Sequence, residues 1–464
     1  MYTIKKSTTY QAALADFSLS LEWRELPVEA VNHAKLLLAD TFAAMIAGSG
    51  APGIKIVIDQ IRDWGGNQQA SIAQFGDRVP APMAALANAA MAHALDYDDT
   101  LDESKLHGNV CVVPAALAAA DLAGGVSGQE FLLAHAVGLE ISSRLSLAAG
   151  SNIQPGWLPT TVFGIFGATA AAARLLRLSL AQTQHAFGIA YNFAGGNRQG
   201  VMDGALTKRI QPALYAQAAV TSVQLALRGM TGPYRAIDGE CGLYPLFVGN
   251  GYELSRITSD LGKEFEFLNI GIKPYPCCRY SHQAIDASLA ITKKNRVIAG
   301  DIKRVNVYLG SQAAFDFVGK PFQVRSFPQV DAQFSVAFCV ASALLRGSVS
   351  LNEFKMDWIL SPEIKCITDR VHVMVDPALD GTVEVESVQG AQLIHRALLP
   401  KGHPGCPMSA DEMRAKFTSC AEAAVRPLGI NQVDQLFEML GEVQRIPDIS
   451  ALLQISQPSE VSVS

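Results

Sequence analysis

The segment IKRVNVYL at residues 302–309 decides the fold class, because it is the clearest strand pattern in a chain otherwise rich in helix patterns. It is rich in β-branched residues, and its apolar and polar side chains alternate from Val305 onward, as in a strand with one buried face. Further strands are predicted at 371–375 and 383–388, and helices at 332–345 and 351–359. Residues 268–400 are therefore predicted to form a small α+β domain.

The rest of the chain is dominated by helix patterns. Apolar residues at helical spacing follow Pro27 and end at Gly48. Other helices, many of them rich in alanine, are predicted at 115–123 (opened by Pro114), 129–147, 169–178 and 409–424 (capped by Ser409, with Glu412 at the capping-box position). Small side chains let helices pack closely, so we predict a mainly α fold. Its large all-helical domain would consist of 1–267 and 401–464, with the α+β domain of 268–400 inserted.

The composition is that of a folded protein with mildly acidic charge. Of 464 residues, 49% are hydrophobic and 17% are charged, and the formal net charge is −6. The chain has no run of Lys and Arg, which argues against a nucleic-acid or membrane partner. Its first residues lack the apolar core of a signal peptide, and its Ala-rich stretches are too short to span a bilayer. We predict a cytoplasmic protein.

No cofactor motif is found in the sequence. The eight cysteines are scattered without a CxxC pair, which predicts free thiols and does not offer the ligand spacing of an iron–sulfur cluster. The glycine-rich run GGNRQG at 195–200 does not match GxGxxG, and there is no P-loop. We therefore expect no organic cofactor and no metal.

The densest polar cluster is LDYDDT at 95–100, followed by LHGN at 106–109. Neighbouring carboxylates raise one another's pKa. His107 lies in a loop before a predicted helix, where an imidazole can act as a general acid or base near neutral pH. Two other interpretations stay open, namely a solvated acidic turn with an incidental histidine and a metal site. No spacing such as HExxH completes a metal site.

A second cluster, KPYPCCRYSH at 273–282, predicts an ordered extended loop, because two prolines flank Tyr275. Lys273, Arg279 and His282 together form an anion-binding set. The alternatives are a basic hinge loop that makes surface ion pairs and an acid/base role for the adjacent cysteine thiols. The pair Lys208-Arg209 is weaker evidence by itself, since such pairs are common on solvated surfaces.

Together these motifs resemble the MmgE/PrpD family along almost the whole chain. The matching segments are HALDYDDT (93–100), LHGNVCVVPAALA (106–118), MDGALTKRIQPALYAQ (202–217), KPYPCCRYSHQAIDA (273–287) and HPGCPMSADEMRAKF (403–417). The family contains 2-methylcitrate dehydratases, cis-aconitate decarboxylases and an iminodisuccinate epimerase. The resemblance implies a homodimer, an active site in a cleft between the domains and a small polycarboxylate as substrate. It also implies a site without metal or organic cofactor.

The resemblance and the two polar clusters together predict the site residues. The predicted catalytic residues are Asp96, His107, Lys208, Lys273 and His282. Thr100, Gln211, Arg279 and Tyr280 are predicted to bind substrate. His107 would take a proton from the carbon next to a carboxylate, with Asp96 orienting it. The cationic side chains would stabilise the resulting charge, and His282 or Tyr280 would act on the opposite face.

Two departures from the family pattern bear on the reaction. Leu158 stands where dehydratase and decarboxylase members have a histidine, and Phe338 where they often have a tyrosine. Each change removes a proton donor, so epimerisation of an amino-polycarboxylate is the first prediction. A dehydratase or decarboxylase is the alternative. A non-catalytic polycarboxylate-binding relative and a pyridoxal-phosphate racemase with Lys208 or Lys273 as the Schiff base are hypotheses from other classes.

Overall fold

The computed structural model describes residues 9–295 and 297–457. The chain divides into two compact units. Unit 1 contains the chain up to Arg198, Arg209–Ile272 and the chain from Ala410, and unit 2 contains Gln199–Lys208 and Lys273–Ser409. Unit 1 is mainly helical, and unit 2 contains the larger sheet, which confirms the predicted fold class. The domain boundaries predicted from the sequence, 267/268 and 400/401, stay a prediction. The compact units divide at Ile272/Lys273 and Ser409/Ala410, and Gln199–Lys208 belongs with unit 2.

Helices account for most of unit 1. Its α-helices are Tyr10–Ser20, Val28–Gly48, Ile54–Trp64, Ala81–His93, Asn109–Ala123, Gly128–Ala149, Pro159–Leu175, Leu180–Tyr191, Thr207–Leu227 (which begins in unit 2), Leu243–Phe247, Ser255–Thr258, Ala410–Glu422, Ile430–Gly441 and Ser450–Ile455. Short 3₁₀ helices are Trp23–Glu25, Glu266–Asn269 and Val443–Arg445. The helix predicted to follow Pro27 and end at Gly48 is confirmed.

Two helices of unit 1 begin earlier than their sequences suggested. Pro114 was expected to open a helix, but it lies inside Asn109–Ala123. A proline in this place costs one backbone hydrogen bond. The helix persists because most of its residues are buried against neighbouring helices. The helix predicted at 169–178 is Pro159–Leu175, and here a proline does occupy the first turn, where its missing N–H costs nothing.

Glycines allow the central helices of unit 1 to approach closely. A Cβ at Gly167 would lie 2.2 Å from the carbonyl oxygen of Gly138 on the neighbouring helix. At Gly164 it would lie 3.0 Å from Cys111 Sγ. A larger side chain at Gly167 would therefore force the helices apart, which agrees with the close packing expected from small residues.

Two short strand pairs complete unit 1. Thr100–Leu101 is antiparallel to Ile270–Gly271, and Ala70–Ser71 is antiparallel to Arg78–Val79. The first pair ties the acidic loop to a distant part of the chain. His33 Nε2 strengthens this attachment by donating to the carbonyl oxygen of Ile270 at 3.0 Å.

Unit 2 is built around a four-stranded sheet. In spatial order its strands are Val371–Val375, Ile302–Leu309, Thr382–Ser387 and Gln392–Arg396. The first two strands are parallel and the other pairs are antiparallel. Two predicted strands are confirmed residue for residue, and the third is shifted by one position. The edge strand Gln392–Arg396 was not predicted, because it has no buried face to produce an alternating pattern.

The helices of unit 2 are short. They are Gln199–Met202, His282–Lys294, Gln312–Ala314, Pro328–Gln333, Val336–Arg346, Met356–Ile359 and Pro362–Thr368, with 3₁₀ turns at Arg279–Ser281, Ala299–Asp301, Leu351–Phe354 and Pro377–Leu379 and a π turn at Phe315–Gly319. The helix predicted at 332–345 is interrupted at Ser335, whose hydroxyl accepts from the amide of Phe338 and caps a new helix.

One helix of the described chain, Gly128–Ala149, is long and apolar enough to cross a membrane by length and composition. Its most apolar stretch is wholly buried inside unit 1. A core helix of a globular domain has the same composition, because it is surrounded by apolar side chains on all sides.

Candidate active site

The acidic loop of unit 1 connects the helices Ala81–His93 and Asn109–Ala123. Asp96 has the left-handed backbone conformation, with φ of 53°, and its amide donates to the carbonyl oxygen of His93 at 3.2 Å. Residues other than glycine adopt this conformation uncommonly, and aspartate does so more readily than most. The loop is therefore held in one particular shape.

His107 has a defined tautomer in this loop. Its Nδ1 lies 2.6 Å from the backbone carbonyl oxygen of Asp99 and 3.5 Å from Asp98 Oδ2. Since a carbonyl oxygen only accepts, Nδ1 carries the proton and donates. In the neutral ring the lone pair is then on Nε2. The His107 side chain is 21% exposed, so this nitrogen belongs to a partly accessible imidazole suited to acid/base chemistry.

Asp98 connects His107 to a second histidine. Its Oδ2 accepts from His93 Nδ1 at 2.9 Å, and the two imidazole rings are 5.8 Å apart. Asp98 is wholly buried. A buried carboxylate beside an imidazole orients the ring and stabilises its protonated form. The sequence assigned this role to Asp96. The distances bring Asp98 to His107, and the role of Asp96 stays a prediction.

Asp99 is the third carboxyl group of the loop. Its Oδ2 accepts from the backbone amides of Gly108 at 3.2 Å and Asn109 at 3.4 Å, at the start of a helix. Burial, and next the negative charge of Asp98, raise the pKa of Asp99 to about 7. Asp99 is thus substantially protonated at neutral pH, which reduces the repulsion expected from three adjacent carboxylates.

Replacing Asp99 with asparagine should change how stability depends on pH. The folded-state pKa of Asp99 is raised, so its stabilising contribution is present below pH 4 and is lost as pH rises to about 7. Asparagine cannot ionise and keeps an oxygen for the Gly108 amide. The unfolding free energy of Asp99→Asn relative to wild type should therefore increase between pH 5 and pH 8, by an amount on the order of a few kcal/mol. The difference between their melting temperatures should increase in the same direction. Equal differences at both pH values would contradict the raised pKa.

The segment that contains Leu158, where the chain departs from the family pattern, contacts His107 through Thr160. The hydroxyl of Thr160, in the first turn of Pro159–Leu175, accepts from the backbone amide of His107 at 2.9 Å. Leu158 is the N-cap residue of that helix. The apolar residue Leu158 is therefore two positions before Thr160, which contacts the backbone of the candidate base His107.

The predicted substrate-binding residues of unit 1 have partners within the unit. The Thr100 hydroxyl donates to Asp102 Oδ1 at 3.3 Å. The Gln211 amide donates to the carbonyl oxygen of Asn197 at 2.5 Å. Each group keeps further hydrogen-bonding capacity, and its role in substrate binding stays a prediction.

The two predicted catalytic lysines belong to unit 2 and are buried. Lys208 Nζ lies 5.2 Å from the centre of the Phe334 ring, and Lys273 has no exposed surface. An aromatic face attracts a cation and holds it in place. Phe334 also lines a cavity of about 150 Å³, together with Val201, Met202, Asp316, Phe317, Lys320, Pro321, Phe322, Gln323, Arg325, Asp331 and Ser335.

His282 uses both ring nitrogens within unit 2. Its Nε2 lies 3.2 Å from the carbonyl oxygen of Cys277, so Nε2 carries the proton and donates. Its Nδ1 accepts from Arg279 Nη1 at 3.3 Å, and the same guanidinium nitrogen donates to the carbonyl oxygen of Lys401 at 2.9 Å. Acid/base work by His282 would require one of these bonds to open. The roles predicted for His282 and Arg279 stay predictions.

The remaining predicted residues of unit 2 are aromatic neighbours. The Tyr280 ring lies 5.9 Å from that of Phe317. Phe338 is wholly buried, with the rings of Phe322 and Phe354 at 5.2 and 5.5 Å. Phe338 is therefore a core residue of unit 2, at a place where an apolar ring packs without needing a hydrogen-bonding partner.

Some structural contacts were not assigned from the sequence. His93 and Lys416 both lie within recognised motifs, HALDYDDT and HPGCPMSADEMRAKF, but their partners were not evident. Asp98 was noted only as one of three carboxylates. Among residues 9–295 and 297–457, no group of three or more His, Cys, Asp and Glu side chains is arranged to hold a metal ion.

Two family profiles together match most of the chain. The profile of the MmgE/PrpD N-terminal domain matches residues 12–255, and that of the C-terminal domain matches residues 275–433. The chain belongs to the MmgE/PrpD family.

Curated relatives match along nearly their whole lengths. The cis-aconitate decarboxylase-like protein oryM of Aspergillus oryzae is 27% identical over 95% of this chain and 96% of its own. The cis-aconitate decarboxylase of Aspergillus terreus is 25% identical over 95% and 94%. That of Mus musculus is 23% identical over 92% and 88%. Two of these relatives are named as cis-aconitate decarboxylases, and the third is named as similar to them.

Proposed function

We propose that the protein is a lyase that acts on a small polycarboxylate without a cofactor, and that His107 moves a proton at the carbon next to a carboxylate. The observation that carries this proposal is the orientation of His107. The Asp99 carbonyl oxygen and Asp98 fix the proton on Nδ1, so that Nε2 can exchange a proton with substrate.

The proposed chemistry has a proton transfer and a charge to stabilise. In an elimination, Nε2 takes the proton, the electron pair forms the double bond, and a leaving group departs from the next carbon. In a decarboxylation, the bond to carbon dioxide breaks first, and the electron pair it leaves is protonated by the His107 imidazolium. Asp98 stabilises the imidazolium in either case. We assign Lys208 and Lys273 to the negative charge that develops on the substrate.

The names of the relatives and the packing of Phe338 favour the lyase over the epimerase. Three relatives are named as decarboxylases or decarboxylase-like. Phe338 packs in an aromatic core, so it is weak evidence that a proton donor was lost. Epimerisation, the first prediction from the sequence, remains the second candidate. Leu158 favours it, because this apolar residue adjoins the environment of His107 and cannot protonate a leaving group.

Turnover in deuterated water distinguishes the two functions. The enzyme is incubated with single stereoisomers from a panel of di- and tricarboxylates, including cis-aconitate, and with iminodisuccinate. Release of carbon dioxide or water, with an unsaturated acid as product, is expected for the lyase. Inversion with one solvent deuterium at the α-carbon and no loss of mass would support the epimerase. Calorimetric binding without turnover of any compound would instead support a non-catalytic binding protein.

Other predictions belong with this proposal. We propose a homodimer in the cytoplasm, as the family resemblance and the composition led us to expect.

Full activity of a colourless, dialysed preparation is expected, because acid/base groups and cations alone perform the proposed steps. Activity that required added pyridoxal phosphate would contradict a reaction without cofactor.

A further inference from the structure

A buried lysine from the C-terminal part of the chain contacts the acidic loop of unit 1. Lys416 lies on the helix Ala410–Glu422 and is 4% exposed. Its Nζ donates to the backbone carbonyl oxygen of Tyr97 at 2.9 Å and lies 4.0 Å from the centre of the Tyr97 ring. It also donates to Asp40 Oδ1 at 2.5 Å, and Asp40 is wholly buried on Val28–Gly48. A cation and an anion thus meet in the interior, next to the loop.

Tyr97 occupies a sensitive place in that loop. It follows Asp96, whose backbone has the uncommon left-handed conformation, and it precedes Asp98. Rotation of the peptide at Tyr97 would displace Asp98 Oδ2 and the Asp99 carbonyl oxygen, which lie 3.5 and 2.6 Å from His107 Nδ1. The bond from Lys416 fixes the Tyr97 carbonyl group and so opposes this rotation.

We infer that Lys416 is a positioning residue for proton transfer. It holds the acidic loop so that Asp98 and Asp99 present their acceptors to His107. This inference rests on the proposed function in taking His107 as the group that moves the proton. The role explains why a lysine of the HPGCPMSADEMRAKF segment is buried beside the acidic loop although it does not take part in the chemistry itself.

The partners of Lys416 permit a test that separates position from stability. In Lys416→Met, a side chain of similar length loses both the charge and the bond to Tyr97. In Asp40→Asn, the ion pair is lost but the bond from Lys416 to Tyr97 can persist. Each single variant leaves an uncompensated buried charge, so both should lower the melting temperature. The double variant carries neither charge and should recover much of that loss.

The measurements are kcat, KM, melting temperature and hydrogen exchange of peptides that cover residues 95–109. Lys416→Met and the double variant should lower kcat roughly tenfold or more, with a smaller change in KM, because the acceptors of His107 move. Both should also exchange faster in that segment. Asp40→Asn should keep kcat within about threefold of wild type although it melts earlier, which is the matched control.

Two results would overturn the inference. One is a kcat that follows melting temperature through all three variants, with the double variant regaining wild-type turnover. The other is unchanged hydrogen exchange at 95–109 in the double variant. If wild type turned over none of the polycarboxylates, the proposed function would fail. The exchange measurement would still decide whether Lys416 positions the loop.

Discussion

Replacing His107 with asparagine is expected to lower kcat by roughly a hundredfold or more, which is the usual contribution of a positioned general acid or base. The amide nitrogen of asparagine can stand near the position of Nδ1 and donate to the Asp99 carbonyl oxygen. The loop should therefore keep its shape while the group that carries the proton is lost. Steady-state kinetics with the substrate found in the deuterium screen would measure the effect.

The control for this variant is another histidine that lies outside the acidic loop. His372 is exposed on the strand Val371–Val375, and His372→Gln should keep kcat within about threefold. The melting temperature of His107→Asn should remain close to that of wild type. Turnover of His107→Asn at a near-normal rate would remove His107 from the mechanism.

Replacing Lys208 with methionine is expected to lower kcat/KM by about a hundredfold, because a cation that stabilises developing charge is lost. Methionine has nearly the same length, and its thioether can remain against the Phe334 ring. The packing of unit 2 is thus largely preserved. The loss should fall mainly on kcat if Lys208 acts on charge that exists only in the transition state.

An exposed lysine in the same unit provides the matched control. Lys365 lies on the helix Pro362–Thr368 and pairs with Asp369 at the surface. Lys365→Met should leave kcat/KM within about threefold of wild type, because exposed ion pairs contribute little. If Lys208→Met shared this small effect, the charge of Lys208 would have no role in the reaction.

Local patterns were sufficient for the elements that carry a strong period. Ile302–Leu309 alternates toward a buried face, Val371–Val375 is rich in β-branched valine, and Val28–Gly48 repeats apolar residues at helical spacing. Patterns were insufficient where a proline or a serine can lie either at the start of a helix or inside one. Pro114 opens no helix, and Ser335 starts a new one inside a predicted helix, because neighbouring elements decide whether a break is tolerated.

The candidate site was predictable as a set of residue types but not as a set of partners. The acidic loop and His107 were recognised from composition, spacing and the family motif. The partner of His107 was assigned to Asp96, whereas Asp98 and the Asp99 carbonyl oxygen are the groups found at its Nδ1. A shift of one or two residues along a loop reverses the direction of a side chain, and sequence spacing does not resolve it.

The sequence by itself determined the family and the mainly helical fold with an inserted sheet, and it predicted an acid/base histidine with cationic residues. These follow from local periodicity and from motifs in fixed order. Only the tertiary structure decided the tautomer of His107, the raised pKa of Asp99 and the contact of Lys416 with Tyr97. Each of these depends on burial and on the distance between atoms. Lys416 and Asp40 are 376 residues apart, and only packing of the helices that carry them brings their charges together.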